Sequence, residues 1–195
     1  MTQITRLREF VQSFTALVNE VDNDETRIFQ DGQPLLRDLI RHDDWLPDVF
    51  AQPNPDRYQQ YLLYCDPRER FSLVSFVWGP GQDTPIHDHT VWGMVGVMRG
   101  AELCQEYAYD DNQLLTQDQH RLEPGEIDLV SPNVGDIHTV SNALSDRPSI
   151  SIHVYGANRG AVKRHVYDSG SGQAKEFISG YSSDVIPNLW DRSTE

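Results

Sequence analysis

Short β-rich runs separated by turn-forming residues occupy most of the chain from Tyr58 onward, and this pattern constrains the fold more than any other feature. The runs read YQQYLLYC, FSLVSFVWG, IHDHTVWGMVGVM, AELCQEYAY, IDLVS, DIHTVSN, SISIHVY and KRHVY. Residues that break regular structure, chiefly glycine, proline, asparagine and aspartate, lie between them. Many short strands at nearly regular spacing predict a β-sandwich or barrel, here with helices packed outside it.

The segment before the strands has a helical pattern. Seven apolar residues recur at steps of three and four within the first 21 residues, which predicts an amphipathic helix. A second helix is predicted over residues 33–41, and DDWLPDVF predicts a short helical turn broken near Pro47. We expect one domain with a helical layer (about 1–50), a β-barrel (about 58–167) and a C-terminal wrap or tail (about 168–195).

Length, charge and cysteine content exclude several classes of protein. A chain of 195 residues, 38% of them hydrophobic, can bury one substantial core, and a net charge of −14 repels nucleic acid and anionic membranes. Cys65 and Cys104 have neither disulfide-framework nor zinc-site spacing, and the N-terminal segment resembles neither a signal peptide nor a membrane span. We expect a soluble, cytoplasmic monomer or small homo-oligomer, with no nucleic-acid or membrane partner.

Three histidines are candidate metal ligands. His87 and His89 lie one residue apart in a strand-like run, and alternate residues of a strand share a face, so both could bind one ion while Asp88 points away. His138 lies in a later strand-like run, after a turn containing Pro and Gly. Taken singly, each is equally compatible with an exposed or hydrogen-bonded histidine.

A second group of polar residues lies in SISIHVY. Ser151, His153 and Tyr155 occupy alternate positions and would share one face of a strand, which allows a hydroxyl–imidazole–hydroxyl chain of hydrogen bonds. Such a chain could place the Tyr155 phenol beside a bound metal and let it donate to bound oxygen or a carboxylate. The ordinary alternative is three unconnected residues on a polar strand face.

The spacing around the three histidines resembles the two motifs of the cupin superfamily. The first motif is matched by Gly81, His87, His89, Gly93 and Gly100, and the second is approximated by Gly125, Pro132, Gly135, His138 and Asn142. Gly93 stands where many cupins have a ligand glutamate. Three neutral imidazoles without a carboxylate favour an anionic ligand such as a thiolate together with dioxygen. Zinc with an activated water is compatible with the same ligands, so hydrolysis or hydration stays open.

The stretches WGPGQDTPIHDHTVWG, GDIHTVSN and SISIHVYGAN resemble the thiol dioxygenases of the cysteine dioxygenase family, from about Tyr58 to Tyr167. The resemblance implies a mainly β cupin fold, a jelly-roll-like barrel with an N-terminal α-helical layer. It also implies that His87, His89 and His138 bind Fe(2+), and that Ser151, His153 and Tyr155 are the catalytic hydrogen-bonded triad. Mammalian-type members carry a cysteine that crosslinks to the active-site tyrosine. That place is Gly93 here, so no crosslink is expected.

Two further positions bear on the substrate. Gln60 stands where cysteine dioxygenases have a carboxylate-binding arginine, and Arg164 matches an arginine after the triad strand, so the resemblance is closest to the bacterial glutamine-type 3-mercaptopropionate dioxygenases. A neutral amide cannot neutralise a carboxylate, whereas a guanidinium can. The resemblance implies that both atoms of O2 are added to 3-mercaptopropionate, giving 3-sulfinopropionate. L-cysteine is the rival substrate, and a non-oxygenase metal-binding cupin or a small-ligand-binding cupin are the alternative functions.

Overall fold

Two antiparallel sheets lie face to face in a computed structural model that describes residues 4–22, 24–110 and 113–193. The helices are α1 (Thr5–Val21) and α2 (Glu25–Ile40), and short 3-10 helices cover Asp48–Phe50 and Arg159–Ala161. The strands are β1 (Gln59–Cys65), β2 (Ser72–Trp78), β3 (Ile86–His87), β4 (Gly93–Arg99), β5 (Glu102–Asp110), β6 (Gln113–Leu122), β7 (Ile127–Val130), β8 (Ile137–Asn142), β9 (Ser149–Tyr155), β10 (Arg164–Tyr167) and β11 (Ala174–Phe177).

The five-stranded sheet has the order β1-β2-β9-β4-β7, and the six-stranded sheet has the order β11-β10-β3-β8-β5-β6. Neighbouring strands are far apart in sequence, as in β2-β9 and β10-β3, so the sandwich is closed by long-range pairing. The expected mainly β cupin fold with an N-terminal helical layer is confirmed. No helix in the described part of the chain is long and apolar enough to cross a membrane.

The two helices cover the outer face of the five-stranded sheet. The apolar side of α1 buries completely, as the pattern predicted, with Leu7 and Phe14 fully inaccessible to solvent. Helix α2 lies directly on β4, where Gly96 allows a close approach. A Cβ at Gly96 would stand 2.8 Å from Cδ1 of Ile40, which is closer than side-chain carbons pack. The helical layer therefore supports the sheet from behind and leaves its inner face to the space between the sheets.

The prediction that the second helix starts at residue 33 is wrong by eight residues, because α2 begins at Glu25. Asp24 caps it by accepting a 3.2 Å hydrogen bond from the backbone N–H of Arg27. Pro34 therefore lies in the middle of the helix rather than in its first turn. Burial of Ile28 and Phe29 in the first turns offsets the missing proline hydrogen bond.

The strand predictions need three corrections. The segment expected to be only a C-terminal wrap or tail contains β11, which pairs with β10 and extends the six-stranded sheet. The run of residues 86–98 is not one strand, because β3 ends at His87 and β4 begins only at Gly93. Thr90 between them has a left-handed φ of 58°, which a continuous strand cannot contain. Strand β6 (Gln113–Leu122) was not predicted at all. Most of its side chains are exposed and polar, so it lacks the apolar alternation that indicates a strand.

Candidate metal centre

Three buried imidazoles from two neighbouring strands and the turn after one of them form the candidate metal centre. His87 of β3 and His138 of β8 are direct cross-strand partners, and His89 follows β3. The centroids of the three rings lie 4.7–5.0 Å apart. One potential ligand atom from each histidine lies within 4.8 Å of the others. The structure therefore brings together the three histidines that the sequence singled out.

Hydrogen bonds on the outer side of the cluster orient two of the rings. Nδ1 of His87 donates to the carbonyl oxygen of Pro85 at 3.0 Å, and Nδ1 of His89 donates to that of Asp136 at 3.2 Å. Nδ1 of His138 lies 3.5 Å from the Cys104 sulfur. Because Nδ1 is engaged in each ring, Nε2 is the nitrogen free to bind a metal. Such outer contacts are the usual means of fixing metal-binding histidines.

His89 reaches the cluster from a turn rather than from a strand. The Asp136 carboxylate accepts the backbone N–H groups of both His89 and Thr90, each at 3.0 Å. These bonds hold the turn in which Thr90 takes its left-handed conformation. Asp88 points away, as predicted, and accepts a hydrogen bond from Tyr167 at 3.0 Å. The shared orientation of His87 and His89 thus depends on Asp136, not on strand alternation.

The electrostatic surroundings keep the three imidazoles neutral. Burial is the largest cause and lowers the pKa of His87 and His89 well below the usual range and that of His138 to about 3. The positive charge of Arg159 lowers all three further. Neutral imidazoles with free Nε2 atoms can bind a metal ion without first losing a proton. The residues present therefore fit a divalent transition-metal ion.

A continuous chain of short hydrogen bonds lies beside the histidines on β9. Ser151 Oγ lies 2.7 Å from His153 Nε2, and His153 Nδ1 lies 2.7 Å from the Tyr155 hydroxyl. All three side chains are buried. The Tyr155 ring stacks on His89 with centroids 5.6 Å apart, and Phe76 stacks on His153 at 4.1 Å. The structure joins the three residues into one chain that ends at the candidate metal centre.

Gly93 leaves the space that the Tyr155 ring occupies. The two residues are cross-strand partners in β4 and β9. A Cβ at Gly93 would lie 2.6 Å from Cδ1 of Tyr155, so a larger side chain would displace the ring. The ring position of Tyr155 is therefore compatible with glycine at 93, and not with a ligand glutamate or a cysteine there.

One cavity between the sheets connects these groups. The predicted site residues that line it are Gln60, His87, His89, His138, His153, Tyr155 and Arg164. Ser151 lies behind His153 and outside the lining. The other walls are largely aromatic, and among them Tyr58 stacks on Trp78 with centroids 4.6 Å apart. No carboxylate belongs to the lining among the described residues.

Gln60 and Arg164 are positioned with help from the C-terminal segment. Ser182 accepts the backbone N–H of Gln60 at 2.9 Å, and Ser179 accepts from Nη2 of Arg164 at 2.7 Å. The Arg164 guanidinium also lies over the ring of Phe177, 4.4 Å from its centroid. Arg164 is only 2% exposed and forms no ion pair with a described residue. Its charge is therefore available to an anion inside the cavity.

Arg159 is a cavity residue that the sequence reasoning missed. It is 2% exposed, lies with its guanidinium carbon 4.7 Å from the centroid of the Tyr155 ring, and leaves Nε and Nη1 without hydrogen-bond partners in the described part of the chain. Burial lowers its pKa, which still leaves a guanidinium charged. An arginine in the turn-forming sequence GANRGA is typical of an exposed, charged loop residue. Only its packing against β2 and β9 identifies it.

Cys104, His120 and Asp128 form a second group of potential ligands, with ligand atoms within 4.8 Å of one another. This outer cluster is partly exposed, and its groups already bind each other, since His120 Nε2 lies 3.1 Å from Asp128 Oδ2. Burial raises the pKa of Cys104 far above its usual range, which disfavours the thiolate needed for metal binding. The outer cluster therefore lacks the free, neutral donors of the histidine site.

Comparison with known proteins gives one consistent family. Residues 3–170 match the family model described as Cysteine dioxygenase type I. The chain is 24% identical to Cysteine dioxygenase type 1 of Bos taurus over 139 residues, covering 69% of this chain and 68% of that protein. It is also 24% identical to Cysteine dioxygenase type 1 of Homo sapiens over 154 residues, covering 75% of each.

Solved structures similar to this chain include two bacterial proteins. One, from Klebsiella pneumoniae, is described as having a double-stranded beta-helix domain, with 17% identity, a TM-score of 0.44, and coverage of 71% of this chain and 97% of the other. The second is a cupin superfamily protein from Desulfitobacterium hafniense, with 12% identity, a TM-score of 0.43, and coverage of 60% and 94%.

Proposed function

Because this chain belongs to the cysteine dioxygenase type I family, and is a thiol dioxygenase by that membership, we propose that it oxidises 3-mercaptopropionate to 3-sulfinopropionate on ferrous iron. One observation carries the proposal. A single buried cavity holds three neutral histidines, the tyrosine end of a hydrogen-bonded chain, two cationic side chains and no carboxylate among its described lining. This arrangement suits a small thiol that bears one negative group at its far end.

His87, His89 and His138 would hold the iron. When bound, ferrous iron supplies the redox chemistry that allows dioxygen to react with a thiolate. The overall reaction balances without a further reductant: the sulfur loses four electrons, dioxygen gains four, and both oxygen atoms end on sulfur. Three neutral ligands also leave the positive charge of the ion uncompensated, which favours the thiolate form of the substrate. Zinc would bind the same nitrogens but could not supply redox chemistry.

Arg164 would bind the substrate carboxylate. Its Nε has no hydrogen-bond partner in the described residues, and its Nη2 is held by Ser179, so the guanidinium is fixed with an open edge. A forked, charge-assisted pair with a carboxylate satisfies that edge. Arg159 contributes a second positive charge from the short 3-10 helix that follows β9, while Gln60 stays neutral. An uncompensated buried cation is costly by itself, and an anionic substrate removes this cost.

Tyr155 would orient the reacting end of the substrate. Its hydroxyl is fixed by His153, and His153 is fixed by Ser151, so the phenol cannot rotate freely. Burial raises the pKa of Tyr155, which keeps the phenol protonated as a hydrogen-bond donor. The hydroxyl can then donate to an oxygen or carboxylate within the cavity. The aromatic walls exclude water from the same space.

L-cysteine is the second candidate substrate, because the matched relatives are named as cysteine dioxygenases. It differs from 3-mercaptopropionate by an ammonium group. That group would enter a cavity with two arginines and with no carboxylate in its described lining. Like charges at close range repel, so the cavity favours the thiol without the ammonium.

Oxygen uptake by the iron-loaded protein tests the proposal. With each thiol supplied in turn, we expect faster uptake with 3-mercaptopropionate and a product whose mass is that of the thiol plus two oxygen atoms. The zinc-loaded protein is the control and should consume no oxygen. Oxidation of neither thiol, or activity supported by zinc, would contradict the dioxygenase assignment. Preference for L-cysteine would contradict only the choice of substrate.

A further inference from the structure

Glu102 is a carboxylic acid buried next to the proposed site, and it has no role in the proposed reaction. It is the first residue of β5 and is completely inaccessible to solvent. Neither of its carboxyl oxygens has a hydrogen-bond partner in the described part of the chain. Burial raises the pKa of Glu102 to about 8. An unpaired carboxylate is strongly disfavoured in such surroundings, so the neutral acid predominates at neutral pH.

Three side chains on the opposite sheet that can donate hydrogen bonds lie close enough to influence the Glu102 carboxyl, although none completes a hydrogen bond to it in this structure. The hydroxyl of Ser151 is the most influential in lowering its pKa, followed by the indole of Trp78 and the hydroxyl of Ser149. The Ser151 oxygen is already shared, because it lies 2.7 Å from His153 Nε2 and 3.4 Å from Trp78 Nε1. A hydroxyl has one hydrogen to donate. Ser151 can therefore donate to His153 or to Glu102, but not to both.

Few titratable groups face Glu102. Cys104 on the same strand and Tyr155 on β9 both have their pKa raised by its negative charge. The flanking strands β6 and β8 place Leu122 and Asn142 opposite it, and neither side chain ionises. These neighbours supply no cation that would stabilise the carboxylate.

The hydrogen-bonded chain from Ser151 to Tyr155 must run in one direction. A neutral imidazole donates from one nitrogen and accepts at the other, so the two bonds of His153 are coupled. In one direction Ser151 donates to Nε2, and Nδ1 donates to the Tyr155 oxygen, which leaves the phenol hydrogen free for the cavity. In the other direction the phenol hydrogen is used on Nδ1, and Nε2 donates to Ser151.

We propose that Glu102 is a positioning residue at the far end of this chain, and that its protonation state sets the direction of the chain and the hydrogen-bonding role of Tyr155. This proposal rests on the proposed function for the role of Tyr155. The neutral acid donates to Ser151, so the chain points toward the cavity and Tyr155 presents its hydrogen there. The Glu102 carboxylate instead accepts a hydrogen bond from Ser151. Both hydrogen bonds of His153 then reverse, and the phenol hydrogen of Tyr155 is donated to His153 rather than to the cavity.

The tautomer of His153 reports the direction without any enzyme assay. In the full-length zinc-loaded protein, ¹⁵N NMR should show His153 protonated on Nδ1 at neutral pH and on Nε2 at alkaline pH, with a midpoint near the pKa of about 8. In Glu102→Gln, whose amide can donate to Ser151 but cannot ionise, the Nδ1–H form should persist throughout. A His153 tautomer that does not change in the unmodified protein between about pH 6 and pH 10 overturns the proposal.

Kinetics with the iron-loaded enzyme provide the second test. The quantity to follow is kcat/KM of Glu102→Gln divided by kcat/KM of the unmodified enzyme at each pH. The effect of substrate thiol ionisation is the same for both enzymes and drops out of this ratio. Because the neutral acid is lost above its pKa, this ratio should rise about tenfold per pH unit on the alkaline side. Glu106→Gln, an exposed change on the same strand, should leave the profile unchanged. A constant ratio overturns the proposal, whereas absence of thiol oxidation in every variant contradicts only the proposed function.

Discussion

The six-stranded sheet positions its site residues by pairing between strands, whereas the five-stranded sheet positions its hydrogen-bonded chain along a single strand. His87 and His138 meet because β3 and β8 pair in one register. Ser151, His153 and Tyr155 meet because alternate residues of β9 share a face. A shift of one residue between β3 and β8 would turn one histidine away, while the β9 chain would survive any such shift.

This difference implies a division of chemistry between the sheets. The six-stranded sheet and the turn after β3 contribute the proposed metal ligands, and β10 contributes Arg164, so we propose that this side of the cavity holds the reactants. The five-stranded sheet contributes Tyr155 and Gln60 to the cavity lining, and we propose that it directs hydrogen bonds and shapes the substrate end of the cavity. Substitutions on the two sides of the cavity should therefore have separable effects on metal binding, turnover and substrate preference.

Replacing His138 with Ala should abolish metal binding and oxygen uptake together. Two imidazoles cannot hold the ion as three can, so we expect metal affinity to fall by more than about 100-fold. Metal content by elemental analysis and oxygen uptake measure the two effects. His120→Ala, in the outer cluster, is the matched control and should keep full metal content. If His138→Ala keeps its metal, the histidine site is not the metal centre.

Replacing Tyr155 with Phe should slow turnover while leaving the metal in place. The variant keeps the ring that fills the space beside Gly93 and loses only the hydroxyl. We expect kcat/KM to fall by about 100-fold, within the range for loss of a proton donor. Equal metal content in Tyr155→Phe and the unmodified protein would show that the residue on β9 affects turnover without affecting metal binding. Loss of metal from Tyr155→Phe would contradict the division.

Replacing Arg164 with Met should weaken substrate binding more than turnover. Loss of a charge-assisted pair costs about 1.5–3 kcal/mol, which raises KM for 3-mercaptopropionate by roughly 10- to 100-fold. Arg164→Lys keeps the charge but not the fork, so it should recover part of the loss. Arg159→Met, in the 3-10 helix Arg159–Ala161, allows the contributions of the two cations to KM to be compared. An unchanged KM in Arg164→Met would show that its charge does not meet the substrate.

Replacing Gln60 with Arg should produce the smallest change, a shift in substrate preference. The new guanidinium would approach the cavity from β1 and alter the position of the carboxylate relative to Arg164. We expect the ratio of kcat/KM for 3-mercaptopropionate to that for L-cysteine to change by about 10-fold. Gln60→Glu, which has the opposite charge, is the control. An unchanged ratio in Gln60→Arg would mean that this position does not set preference.

Local patterns in the sequence predicted those parts of the fold that local interactions determine. The apolar face of α1 and the alternating side chains of β9 could both be predicted, because each pattern depends on residues close together in the chain. The start of α2 and the existence of strand β6 could not be predicted from local patterns. Pro34 suggests a boundary that tertiary packing overrides, and β6 is a polar strand held by its pairing with β5. The turn after His87 depends on Asp136, which is 47 residues away.

The residue types of the candidate site could be identified from the sequence alone: three histidines, a Ser–His–Tyr strand, a glycine at 93 and an arginine at 164. This was possible because ligand chemistry and strand periodicity are properties of side-chain identity and spacing. The three-dimensional structure was needed to show that Arg159 faces the cavity, that Asp136 holds the turn bringing His89 to the other two histidines, and that Glu102 is buried near Ser151. Burial and contact between distant strands determine these features, and neither is encoded in local spacing.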